Sequence, residues 1–568
     1  MTAEALVAPR PRVARFDLEY WVGGAAIAAL IVLIVLPLLS LLWGSIASPR
    51  GPTLGYFARV LTNRLYFQAL LNSLTLGAWT GLFSILIGVP LAWAVVRTDL
   101  PGRNFVKLTA TLSYLSPPFL LAIAYVNLFS PRAGVINAFL RQAIPAHDLT
   151  FNIFSMAGLV LVTIPHTFPF VYLLASSALA SVDASYEESA QILGAGKLRT
   201  ARTVTLPLVA PAILSGALIG FVNAIALFGS QAIVGLPARI FTLPTRIYAL
   251  FNYPPEYGLA SALSLVFVAL TVAALYLQRS YLARRSFVTL GGKGSRPQRL
   301  ALGPWRWPLF LFCVLIFVIA ILLPYGSLLA VSLSKSWGLA FWKNLTLANY
   351  RFVLFQYDVT QRAIVNSLLL ATLAATFSVM LGAVIGWIDI RTRLRGRHFL
   401  DYVSLIPLGL PGIVMAAALI QFWLRIPIAL YGSLAILFLA YSARYLPLGV
   451  RSANAALRQI DPSLEESARI LGASWGDTMR EVTLPLMRSS LFAGWILIFV
   501  PAIQELSASI LLFSSKSMTI AVAVYNLYEN GYMEPVAALA LINAAIIAAA
   551  IWTANRVGGA QARVESLS

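Results

Sequence analysis

Three ionisable residues stand in long apolar stretches: His166, Arg444 and Glu505. A charged side chain at the middle of a bilayer costs about 2.5–3.5 kcal/mol or more, so such residues tend to face a partner or an aqueous path. His166 and Arg444 lie 278 residues apart in one register of an internal repeat, which Pro169 and Pro447 share, while Glu505 is matched by Leu227. We take the three as candidates for a translocation pathway. The competing reading makes each a satisfied polar group that bridges or kinks helices. Counting along straight helices puts Arg444 and Glu505 at different depths, so a bond between them is not expected. One carboxylate and an arginine supply too few hard oxygen donors to hold a metal ion, and a metal site is left unknown.

A second constellation is duplicated without a gap. Residues 187–207 read EESAQILGAGKLRTARTVTLP and residues 465–485 read EESARILGASWGDTMREVTLP. Ser185 stands three residues before Glu188, and Ser463 three before Glu466, the spacing of a capping box. Ala190 and Leu193, like Ala468 and Leu471, recur at helical spacing and give one face that is apolar. Gly194 and Gly472 suit the position just past a helix end. A second short amphipathic run follows, and Leu206-Pro207 and Leu484-Pro485 suit the opening turn of the next helix. The expectation is a compact helix–turn–helix on the membrane face. Helices that merely lie on lipid favour a basic polar face and large aromatics, which these lack. No glycine-rich lysine loop of the Walker type occurs in the chain, so any ATP must be handled by another polypeptide.

These residues need a membrane scaffold, and the composition supplies one. The chain has 568 residues, 59% of them hydrophobic and 11% charged, with a mean hydropathy of +0.82. A soluble domain must wet its outside and cannot use so much apolar surface. A crossing of the bilayer needs roughly 20 apolar residues. Apolar windows predict spans near 21–46, 69–96, 108–130, 153–180, 208–236 and 258–278, then 307–333, 363–388, 400–424, 429–450, 486–513 and 533–553. The predicted fold is therefore an all-α polytopic membrane protein of about 12 transmembrane helices in two parallel six-helix repeats. Asn72-Ser73-Leu74 recurs as Asn366-Ser367-Leu368, and the Arg97 to Arg103 loop recurs at Arg391 to Arg397, both 294 residues on. The second copy has thus lost about 16 residues, mostly from an outer loop at 131–152. We divide the chain into a first half at 1–278 with its loop at 183–207, a linker at 279–306, and a second half at 307–568 with its loop at 461–485.

The formal charge of +20 is not a nucleic-acid signal here. No basic stretch is long enough for a nucleic-acid domain, and roughly twice as many Lys and Arg fall in the predicted cytoplasmic segments as in the outer ones. That orientation puts both chain termini and the basic linker (Arg284, Arg285, Lys293, Arg296, Arg299) in the cytoplasm. Arg10, Arg12 and Arg15 before the first apolar run look like a secretion signal, but the run is too long for a cleaved one. The single cysteine, Cys313, excludes an internal disulfide and cysteine-based metal clusters.

The pattern Glu-x-Ala, three residues, Gly, nine residues, hydrophobic-x-Leu-Pro is similar to the EAA loop of type I ABC importer permeases. It is met at Glu188, Ala190, Gly194, Val204, Leu206 and Pro207, and again at Glu466, Ala468, Gly472, Val482, Leu484 and Pro485. Both copies depart from the EAA name by carrying Ser189 or Ser467 at the middle position. The resemblance implies coupling helices seated in two copies of an ATP-binding subunit, which would bind ATP and Mg and leave this chain without a cofactor. It also implies a periplasmic or lipid-anchored substrate-binding protein and a place in the bacterial inner membrane. The fused halves, the Asn-Ser-Leu openings and residues 499–512 (FVPAIQELSASILL) resemble iron(III) importer permeases. Ferric iron is the implied substrate; thiamine, phosphonates and sugar phosphates are carried by similar permeases, and Arg444 suits an anion better than a bare cation. A major-facilitator transporter shares two parallel six-span halves but leaves the duplicated loops unexplained. A membrane enzyme would need clustered catalytic groups, and 3 histidines with one cysteine supply none.

Overall fold

In hydrocarbon a backbone must satisfy its own hydrogen bonds, so each long apolar run becomes a helix. The computed structural model describes residues 18–144, 150–283, 300–392 and 396–565. The leading arginines and the five basic linker residues named above lie outside them. Nine helices among the described residues are long and apolar enough to cross a membrane, and two sharply bent pairs raise the number to as many as eleven. The expected span at 429–450 is the 24-residue helix Leu434–Leu457. This is a multi-span, all-helical membrane protein whose described strands amount to one two-residue pair.

The bent pairs correct the expectation of straight third and ninth spans. Arg103–Leu115 meets Pro118–Phe129 at 100°, and Arg397–Gly409 meets Gly412–Trp423 at 113°. Proline has no N–H and pushes the residue before it out of the helical region. Pro117 follows extended Ser116, and Pro411 follows extended Leu410, so each helix stops there. The second arms turn inward: every residue from Pro118 to Leu128 and from Gly412 to Gln421 is buried.

The fifth and eleventh spans also end earlier than expected, at Ala226 and Ile503. Short helices Gly229–Gly235 and Ser509–Leu512 follow, and the chain then turns back into Leu243–Leu250 and Ile520–Glu529. The Asn-Ser-Leu repeats hold these returns. Asn72 donates to Phe241 O at 2.8 Å and Ser73 Oγ accepts from Leu243 N at 2.8 Å. Asn366 donates to Met518 O at 2.9 Å and Ser367 Oγ accepts from Ile520 N at 2.8 Å.

The halves interlock. The Trp21–Ile46 helix packs on Gly412–Trp423 of the second half, and the Gly303–Ser332 helix packs on Pro118–Phe129 of the first. Buried apolar contact is joined by polar ties across the boundary: Tyr125 to Ile319 O at 2.7 Å, Trp337 Nε1 to Asn127 O at 2.9 Å, and Gln421 to Tyr257 O at 3.0 Å.

Candidate functional site

Each EES repeat forms a short helix, Ala184–Ile192 and Pro462–Ile470. The expected capping boxes do not form. Asp183 and Asp461 cap the helices instead, accepting from Ser185 N and Ser463 N at 2.9 Å, because each aspartate stands one position ahead of the first helical turn. The Ser463 N–H and hydroxyl hold the Asp461 carboxyl below its ordinary range.

Both helices end in the same way. Gly194 and Gly472 have φ of 84° and 91°, where a side chain is strained. Gly194 N donates to Gln191 O at 2.9 Å and Ala195 N to Ala190 O at 3.0 Å; Gly472 N and Ala473 N repeat this with Arg469 and Ala468 at 3.0 Å. That is the six-to-one and five-to-two pairing of a Schellman end. The expected separate second helix is instead continuous with the next span. Lys197–Thr200 runs through a π turn at Ala201–Thr205 into Leu206–Ala226, and Trp475–Thr478 through Met479–Thr483 into Leu484–Ile503. Pro207 and Pro485 are the second residues after the π turns, where a widened ladder accommodates the missing N–H.

The two glutamates of each repeat part company. Glu188 and Glu466 are exposed. Glu187 accepts from Thr205 Oγ1 at 2.7 Å and lies 3.5 Å from Arg97, whose guanidinium also donates to Val182 O at 3.0 Å. Glu465 accepts from Thr483 Oγ1 at 3.2 Å and lies 3.4 Å from Arg391, which donates to Leu457 O at 3.0 Å. Each loop is thus tied to the long second or eighth span and to the helix that follows it. Sequence reasoning noted that Arg97 recurs as Arg391 and Glu187 as Glu465 but gave none of the four a role. At the tips, Ile192 and Leu193 are 85% and 88% exposed, and Ile470 and Leu471 are 84% and 88% exposed. An apolar pair so open, in the same place twice, is a surface awaiting a partner.

The membrane candidates converge on one cavity of about 280 Å³, lined by His166, Leu227, Arg444 and Glu505 with Tyr114 and Tyr445. The expectation that Arg444 and Glu505 stay apart is wrong. Arg444 Nε lies 3.0 Å from Glu505 Oε2. The helix ends at Ile503, so Glu505 sits on non-helical chain that folds back toward Leu434–Leu457, and counting depth along a straight helix misplaces it. Tyr445 donates to Glu505 Oε2 at 2.6 Å and Ala508 N to Oε1 at 2.9 Å. Arg444 is therefore a neutralised cation, and the carboxylate is occupied. The His166 ring stacks on Tyr114 with centroids 6.1 Å apart. Gln504 beside the pair donates to Leu115 O at 3.1 Å, at the bend of the first half's broken helix. Among the described residues no three His, Cys, Asp or Glu gather as a metal ion would need.

The family described as binding-protein-dependent transport system inner membrane component matches residues 84–288 and again 378–558. The ferric transport system permease protein of Actinobacillus pleuropneumoniae is 26% identical over 84% of this chain and 68% of its own length. The Fe(3+)-transport system permease protein of Haemophilus influenzae is 24% identical over 81% of this chain and 83% of its own. The molybdenum transport system permease protein of Escherichia coli strain K12 is 32% identical over 39% of this chain and 94% of its own, the size of one half.

Proposed function

Since this chain belongs to the inner membrane components of binding-protein-dependent transport systems, and is the permease of an ABC importer, we propose that it carries ferric iron inward from a substrate-binding protein. ATP hydrolysis then belongs to two copies of a separate ATP-binding subunit, with ATP and Mg bound there and none on this chain. The duplicated EES helices with their open Ile-Leu tips carry this reading. Glu188, Ala190, Gly194, Leu206 and Pro207, with Glu466, Ala468, Gly472, Leu484 and Pro485, make up the coupling loops. The Arg–Glu–Thr ties pass their movement into the spans. Both loops and both termini face the cytoplasm.

His166, Arg444 and Glu505 line the translocation pathway in this reading. Because Arg444 and Glu505 neutralise each other and both Glu505 oxygens already accept hydrogen bonds, the cavity offers no strong ligand set for a hard trivalent cation. High-affinity iron binding belongs to the receptor, and the permease lets the ion pass. The relatives named for ferric transport match most of the chain, which favours iron over an oxyanion. Uptake of radioactive iron by proteoliposomes holding this chain, the ATP-binding subunit and the ferric-loaded receptor tests the proposal. Uptake that needs ATP and receptor supports it; uptake driven by a proton gradient alone would sink it.

A further inference from the structure

The two repeats treat one position differently, and the difference leaves an apolar cavity. Helices Trp21–Ile46 and Gly303–Ser332 align at Pro37 and Pro324, and their π turns, Ile31–Val35 and Val318–Leu322, fall in the same register. On that register Gly23 answers to Phe310, Gly24 to Leu311 and Leu30 to Phe317. In one repeat the rings fill the space. Phe310 lies 3.0 Å from where a Cβ on Gly102 would be, and Phe105 packs on Phe310 and Phe317 with centroids 6.4 Å and 4.8 Å apart.

In the other repeat the rings are missing. A cavity of about 520 Å³ opens between the first helix and the Arg397–Leu405 helix, walled by Ile27, Leu30, Ile388, Phe399 and Leu400. Crowding does not demand the glycines: a Cβ on Gly23 would meet only Ile388 Cδ1 at 3.8 Å, and one on Gly24 nothing within 4 Å. Among the described residues Arg397 is the only charged one in the lining. Of the nearby acids, Asp389 is bonded to His398 at 2.7 Å and Asp401 accepts from Asn454 at 3.4 Å, while Arg397 itself donates to Thr392 O; Arg393 and Arg395 stand just before it in the sequence. Phe399 and Ile27 are 68% and 45% exposed, which puts the cavity on the outer flank of the bundle.

We propose that this cavity is a lipid site that takes an acyl chain of an anionic phospholipid, with Arg397 meeting its phosphate. On a membrane-embedded flank the apolar material at hand is lipid hydrocarbon, and an apolar void left empty forfeits dispersion contacts. A basic group at the edge of a pocket between membrane helices recognises an anionic headgroup, and arginine is suited to phosphate. The bound chain takes the place that Phe310 and Phe317 fill in the other repeat, and it wedges the first helix of one half against the second half.

Native mass spectrometry of the delipidated full chain with added phosphatidylglycerol or phosphatidylethanolamine tests this. The wild type retains phosphatidylglycerol in preference to phosphatidylethanolamine. Gly23→Phe, which imitates Phe310, weakens phosphatidylglycerol binding by about tenfold or more with an unchanged melting temperature in lipid-free detergent. Arg397→Gln removes the preference between the two lipids. A photoreactive residue at position 27 labels added phosphatidylglycerol. Equal phosphatidylglycerol binding by wild type and Gly23→Phe, or labelling of protein instead of lipid from position 27, would overturn the proposal.

Discussion

Arg391 Nε lies 3.4 Å from Glu465 Oε1, and the two side chains are 9% and 4% exposed. Removing one member of a buried ion pair strands the other charge and costs about 3–5 kcal/mol, whereas replacing both by apolar groups is often neutral. Glu465→Ala should therefore release the second loop, lower the melting temperature of the purified chain and cut ATP-driven uptake. Arg391→Met with Glu465→Leu should recover the melting temperature but not the uptake, since the loop then loses its bond to Thr483. Equal melting temperatures for the single and double variants would show that the pair does not hold the loop.

The pairing of Arg444 with Glu505 sets a second expectation. Arg444→Ala leaves a buried carboxylate unpaired, and with Arg444 still 23% exposed the cost falls near the lower end of that range, about 3 kcal/mol. Glu505→Gln keeps an acceptor for Ala508 N but loses the charge. Both should reduce uptake far more than Leu227→Gln, whose position in the same cavity holds no network. Full uptake by Glu505→Gln, measured in proteoliposomes, would make the pair a packing feature.

Gly194 and Gly472 adopt left-handed backbone, and a Cβ at either position would meet nothing within 4 Å, so the cost of substitution is conformational alone. A bulky residue should cost about 1–2 kcal/mol at each site, and asparagine, which tolerates this region, less. The double valine variant should hydrolyse ATP without transporting, while the double asparagine variant keeps most of its coupling. The ratio of iron imported to ATP hydrolysed is the measurement.

Ser73 and Ser367 each accept the backbone N–H of a buried residue where the chain turns back. Alanine at either site leaves that N–H unsatisfied at about 1–3 kcal/mol. Hydrogen exchange should speed up at Leu243 in Ser73→Ala and at Ile520 in Ser367→Ala, each without effect on the other half.

The sequence made the spans, the repeat and the loop glycines legible because apolar length and glycine position act locally. It hid what depends on a break in the chain. Pro117 and Pro411 stand in apolar runs long enough to pass for straight spans, and only the structure turns them by 100° and 113°. Glu505 seemed too far from Arg444 because nothing local marks the end of the helix at Ile503. The S-x-x-E spacing pointed to Ser185 and Ser463, while Asp183 and Asp461, better caps two residues earlier, took the position. Of the two adjacent glutamates, the pattern drew attention to Glu188 and Glu466, and the fold makes its ties at half-buried Glu187 and buried Glu465 instead.

The central claim, that the two Ile-Leu tips seat the ATP-binding subunits, is tested most directly by Ile192→Asp combined with Ile470→Asp. Both side chains are more than four-fifths exposed at 85% and 84%, so the chain itself should fold with its melting temperature unchanged. The measurement is the amount of ATP-binding subunit that co-purifies with the chain. The account predicts that it falls to background and that receptor-dependent iron uptake falls with it. Two ATP-binding subunits retained at the wild-type level, with full uptake, would contradict it.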